Sequence, residues 1–223
     1  MHPHGAAASD PNSIMTALRT TTASLHAEAE GGAFQQAMVR GELPLSDYTA
    51  YLTQMLHVHR ILEGALRRVR PHVPQILTVV DDEQFQEDNI LADLDTFGAF
   101  EDETPALPAV LRYRRSVCWL ESHRPLTLLG QHYVLEGSKN GAKFIAKAVR
   151  AAYALTPGVG DRFLDPYGDR QRVKWMQFKA AMDAATFTEA ERGDVLTGAQ
   201  EMFRTVIGLA ADLSAAELAT CPA

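Results

Sequence analysis

Apolar residues recur along this chain at helical spacing, and the breaks between them fall at glycine and proline. Ile14, Leu18, Leu25 and Ala29 follow Ser13, a good helix N-cap, and Gly31-Gly32 closes that first helix after Glu30. A short helix over 33–40 ends at Gly41. Pro44 and Ser46 then introduce the most amphipathic segment, in which Tyr48, Tyr51, Leu52, Met55, Leu56, His59, Leu62, Leu66 and Val69 share one face until Pro71 and Pro74 end it. Residues 83–97 read as a helix stopped by Gly98. Another runs over about 106–122, with Leu107, Val110, Leu111, Val117 and Cys118 facing in and Arg112, Arg114 and Arg115 mainly out.

Pro125 opens a long segment to about Ala154, which Gly137 and Gly141 are expected to interrupt. Residues 156–168 hold two prolines and three glycines and read as a loop. A helix over 169–184 follows, and Thr188-x-x-Glu191 is a capping box opening the last helix, whose buried face is Val195, Ala199, Met202, Phe203, Val206, Ala210 and Leu213. No strand-like alternation and no internal repeat survive. The expected architecture is all-α, a single helical bundle of seven to eight helices over 13–214, with a disordered lead over 1–12 and a tail over 215–223.

Composition narrows the function classes. A chain of 223 residues with 46% hydrophobic and 22% charged residues can bury a full core. Its net charge of -7 argues against nucleic-acid binding, which draws on many cations at phosphates. Cys118 and Cys221 do not make a disulfide scaffold. No apolar run approaches the roughly 20 residues of a membrane span and the N-terminus lacks a signal-peptide pattern, so no membrane insertion and a cytoplasmic location are expected.

Two stretches carry candidate chemistry. His26 lies beside the apolar seam of the first helix, and Glu30 is at i+4, where it can accept a hydrogen bond from one imidazole nitrogen and leave the other for a metal. On the residues alone, a structural histidine and a metal ligand both stand. The second stretch is Tyr133-Val-Leu-Glu-Gly-Ser-Lys-Asn-Gly-Ala142, in which Gly137, Gly141, Ser138 and Ala142 strip a helix face of bulk. Each glycine costs about 1 kcal/mol relative to alanine in a helix. A flat ligand approaching the backbone, or close packing against another helix, would each explain that.

Lys139, Lys143, Lys147 and Arg150 form a basic stripe that could dock an acidic electron donor such as a ferredoxin, or be an ordinary solvated face. His59 and Glu63 are spaced to share a metal, with His132 and Glu136 as a looser second pair, and a satisfied core histidine is the competing account of His59.

Together the two stretches resemble the haem oxygenase family over residues 13–213. Leu18, Thr22, His26, Ala29 and Glu30 look like its proximal-histidine segment, Gly32 to Leu66 like its next helices, residues 133–144 like its glycine-rich distal helix, and Lys179, Met182, Thr188 and Phe203 fall in register with its last two helices. The resemblance implies an O2- and reductant-dependent enzyme that opens haem at a meso carbon to give biliverdin, carbon monoxide and free iron. It implies His26 as the iron ligand, oriented by Glu30, with Gly137, Ser138 and Gly141 on the catalytic side and Ala142 against the ring. Arg19, Lys174 and Lys179 become candidates for the haem propionates, Tyr133 a hydrogen-bond donor to one, and Phe203 a wall. The implied partners are haem and an electron donor, ferredoxin or a reductase, with a homodimer left open. Two positions depart from the family pattern: Ser138 stands where animal members carry an aspartate, and Ala142 where a second glycine is usual. They motivate the alternatives of a non-catalytic haem carrier or sensor, and of a haem-free member with a dinuclear metal.

Overall fold

The structure, a computed structural model, describes residues 13–100 and 104–220, the side chains of 217–220 excepted. The expected lead over 1–12 lies outside the described residues, as do 221–223 of the expected tail; the last helix continues to Thr220. The described residues form nine α-helices and no strand: α1 (Ile14–Gly31), α2 (Ala33–Arg40), α3 (Leu45–Val69), α4 (Pro74–Val79), α5 (Glu87–Thr96), α6 (Pro108–His123), α7 (Leu126–Tyr153), α8 (Gln171–Ala184) and α9 (Glu189–Thr220).

Local chemistry sets most boundaries. The Ser13 hydroxyl accepts from the Thr16 amide at 3.1 Å to start α1. At the start of α9, the Thr188 amide donates to Glu191 at 2.7 Å while the Glu191 amide donates to the Thr188 hydroxyl at 3.3 Å, the reciprocal pair of a capping box. Gly41 closes α2 at φ 67°, and a Cβ there would stand 3.0 Å from the Ala148 carbonyl oxygen. A side chain at Gly41 would therefore strain the turn and push α2 off α7.

The all-α bundle expected from the sequence is present, and three details differ from the sequence reading. The ninth helix, α4, is six residues with Pro74 in its first turn, too short to show a period. The long segment after Pro125 is one continuous helix through Gly137 and Gly141, because its cost in glycine is met by tertiary packing. On α6, Leu111 is 41% exposed and Cys118 is exposed, so its buried seam is Ala109, Val110, Tyr113, Val117 and Leu120.

The core is organised around α9. Its Val195, Ala199, Met202, Leu209 and Leu213 are buried against α7, α1 and α6. The crossing of α7 and α9 brings backbone to backbone: a Cβ on Gly130 would lie 1.8 Å from the Val195 carbonyl oxygen, and one on Gly198 1.9 Å from that of Thr127. The partners Arg124 with Asp194, Thr127 with Gly198, and Gln131 with Glu201 advance together, so α7 and α9 run parallel. The same holds for α1, where Arg192 donates to the Ser13 carbonyl and Phe203 meets His26. Thus α1 and α7 lie parallel on one supporting helix.

Candidate functional site

The exposed face of α1 carries the first group. Ile14, Met15, Leu18 and Thr22 are buried, while the His26 side chain remains 57% exposed. Its Nδ1 stands 3.3 Å from Glu30 Oε2, with the Glu30 side chain 69% exposed. Phe203 of α9 supports the imidazole, with ring centroids 5.6 Å apart at 58°. Turning Nδ1 toward a carboxylate leaves Nε2 for a ligand, the arrangement in which the acceptor behind the ring fixes its tautomer.

The second surface is α7. Burial raises the Tyr133 phenol above its ordinary pKa, and the positive charge of Arg19 on α1 partly offsets this.

The glycines divide the two roles open in the sequence. A Cβ on Gly137 would come 3.3 Å from the Trp175 ring, so this glycine accommodates a neighbour on α8, whereas Gly141 meets nothing within 4 Å. Ala142 is half-buried and packs against the core. Ser138 is exposed, but its hydroxyl donates to the Leu135 carbonyl at 2.7 Å. The accessible backbone of α7 is thus at Gly141 and Ser138, where the serine hydroxyl is already engaged.

The candidate cations separate as well. Lys179 is half-buried on α8, and neither it nor Arg19 has an ion pair among the described residues. Lys174 binds Glu83, which also holds Arg170 at 2.8 Å. These two bonds hold the Glu83 carboxyl below its usual pKa, the Lys174 bond contributing most. Lys174 lines a separate cavity of about 160 Å³, between α4, α7 and α8, with Gln84, Glu136 and Tyr167. On α7, Glu136 and Gly137 point about 100° apart, and a drug-sized ligand takes roughly 300 Å³ or more, so that cavity is not where a macrocycle would sit.

The basic stripe is corrected in turn. Lys139 is 4% exposed and donates to Glu136 at 2.6 Å and to Tyr167 at 3.1 Å. Lys143 donates to the Gly168 carbonyl at 2.9 Å, and Arg150 to Asp161 at 2.7 Å. Three of the four cations are therefore engaged inside the molecule, leaving exposed Lys147.

The two histidine–glutamate pairs do meet, in a buried polar layer between α3 and α7 that sequence reading placed only as loose candidates. Glu63 accepts from the Gln86 amide at 2.7 Å and stands 2.8 Å from His59 Nδ1. Burial, with Lys139 and His59 nearby, pushes the His132 pKa down to about 3, so the neutral ring donates through Nε2 to Gln84 Oε1 at 2.8 Å. Glu136 is paired with Lys139, and among the described residues no group of three or more His, Cys, Asp or Glu stands close enough to hold a metal. The dinuclear reading loses its donors to these internal bonds.

Comparisons with known proteins match the family and the fold. The sequence pattern of a family described as Heme oxygenase matches residues 12–212. The solved structure of haem oxygenase from Leptospira interrogans superposes with a TM-score of 0.80 at 22% identity, covering 89% of this chain and 98% of that one. Haem oxygenase-2 from Synechocystis, crystallised with haem and NO, gives 0.85 at 20% identity over 93% and 87%. A domain of unknown function with a haem oxygenase-like fold from Shewanella denitrificans gives 0.74 at 14% over 94% and 95%. Among curated proteins, none matches. No helix among the described residues is long and apolar enough to cross a membrane.

Proposed function

This chain belongs to the haem oxygenase family, and from that premise we propose that it binds haem between α1 and α7 and opens the ring to biliverdin, carbon monoxide and free iron. The observation that carries the reading is the exposed His26, oriented by Glu30 and Phe203 on a helix parallel to α7, together with the open α7 backbone at Gly141, which has nothing within 4 Å. These residues fit haem. His26 Nε2 would hold the iron, Arg19 and Lys179 would meet the propionates, and Gly141 would let the ring approach the α7 backbone. Haem supplies the oxygen chemistry once reduced by an external donor; the protein's share is to seat the ring and to hold the His26 imidazole in the orientation that Glu30 and Phe203 give it.

The second reading, a haem carrier or sensor, has one observation in its favour. Ser138 donates to the Leu135 carbonyl, which leaves its hydroxyl less free to order water above the iron. Titration with hemin, followed by a reductant and oxygen, separates the two: a Soret shift with biliverdin formed supports the enzyme, a Soret shift with intact haem supports the carrier, and no Soret shift refutes both.

A further inference from the structure

The glycine surface of α7 is bounded at both ends by aromatic rings. At 100° per residue, Tyr133, Gly137, Gly141 and Phe144 fall within a sector of about 80°. Tyr133 is half-buried, 6.0 Å from the Trp175 ring. Phe144 is 79% exposed, the highest value among the large apolar side chains, and makes no ring contact among the described residues. A single exposed phenylalanine is common on protein surfaces. Here it stands one turn beyond an open glycine, on the same face.

The two ends also differ in chemistry. The Tyr133 end holds a phenol, with Lys179 on the neighbouring α8 one turn beyond the Trp175 that meets Tyr133. The Phe144 end offers only hydrocarbon. A flat ring with acidic groups on one edge and apolar groups on the other matches that gradient in one sense and opposes it in the other.

We propose that Phe144 is the specificity-determining wall of the cleft: it packs against the apolar edge of bound haem, fixes the ring's rotation in its own plane, and so selects which meso carbon is presented for cleavage. This inference rests on the reading of the cleft as a haem site and adds to it a residue and a role. Bound haem would cover the exposed ring, and the burial of a phenylalanine face raises affinity by roughly tenfold. Reversing the haem would bring its propionates against Phe144 and leave Arg19 without a partner.

The test compares wild type with Phe144→Ala and Phe144→Leu, with Leu77→Ala as control, since Leu77 is 57% exposed on α4 away from the cleft. Hemin affinity is measured by the Soret band and by quenching of tryptophan fluorescence. In-plane orientation is read from the haem-methyl resonances of the cyanide-bound ferric complex, and the biliverdin isomers are separated after turnover. Phe144→Ala should keep the melting temperature of the haem-free protein, bind hemin about tenfold more weakly, and give a second set of haem-methyl resonances with a mixture of isomers; Phe144→Leu should fall between, and Leu77→Ala should match wild type. If wild type and Phe144→Ala bind hemin equally well with the same methyl pattern, the role of Phe144 is refuted while the haem site stands. If wild type binds no hemin, the haem site itself is refuted.

Discussion

Gly141→Ala separates stability from function, because the same methyl group has opposite effects in the empty and the occupied cleft. Gly141 sits in the interior of α7 and is exposed, and a Cβ there would meet nothing within 4 Å. Alanine therefore touches no neighbour and gains about 1 kcal/mol of helix propensity. For a domain of this size that raises the melting temperature by about 2–4 °C. In the occupied cleft the methyl stands between the α7 backbone and the ring; overpacking of this kind costs about 1–3 kcal/mol, which weakens binding between about 5-fold and 150-fold. Differential scanning calorimetry of the haem-free protein and a hemin titration of the same sample measure both. A more stable variant that binds hemin as tightly as wild type would refute the placement of the ring over Gly141, and a lower melting temperature would refute the open surface itself.

Three further outcomes follow from the packing and the buried charges. Gly198→Ala should destabilise by about 2 kcal/mol or more in urea unfolding, since its Cβ at 1.9 Å from the Thr127 carbonyl must retreat by roughly 1.5 Å to reach ordinary contact, and helix propensity returns only about 1 kcal/mol. Lys139→Met should cost about 3 kcal/mol or more, because Glu136 is left buried without its cation, and adding Glu136→Gln should recover much of the loss. His132 has a folded pKa of about 3, below its ordinary 6.5, so the unfolded chain binds the extra proton and stability falls as pH drops from 6.5 toward 3. Relative to His132→Asn, wild type should lose about 1.4 kcal/mol per pH unit across that window, measured by denaturant unfolding at successive pH values; parallel profiles would contradict a neutral buried His132. The comparison with the variant matters because Asp93, raised to about 6 mainly by burial, pushes the pH dependence the other way between 3.8 and 6.

What the sequence made legible were features written in local chemistry. Ser13, Gly41 and the Thr188–Glu191 box each mark a helix end, and each does so in the structure. Helix α4 was not legible, since six residues after a proline hold less than two turns of period. Nor was the purpose of each glycine. Gly130 and Gly198 lie in ordinary apolar runs, and only the crossing of α7 on α9 shows that both are needed at a backbone contact, while Gly137 and Gly141, conspicuous in the sequence, face a tryptophan and open space. The basic stripe on α7 misled for a related reason. A spacing of four puts Lys139, Lys143 and Lys147 on neighbouring faces whether or not a partner waits opposite, and Tyr167, Gly168 and Asp161 become the neighbours of Lys139, Lys143 and Arg150 only through folding. Of the site, His26 with Glu30 could be read from the chain, and the placing of Trp175 of α8 against Gly137 and Tyr133 could not.

The central claim is that His26 binds the iron of a haem seated against the open surface of α7. Hemin titration of wild type and His26→Ala, followed by optical and electron paramagnetic resonance spectra of the ferric complexes, tests it directly. The account predicts a 1:1 complex with a nitrogen-ligand signature in wild type, and in His26→Ala loss of that signature with return of a histidine-like spectrum on adding imidazole. An identical ligand spectrum in the two proteins, with His26→Ala still folded, would contradict it.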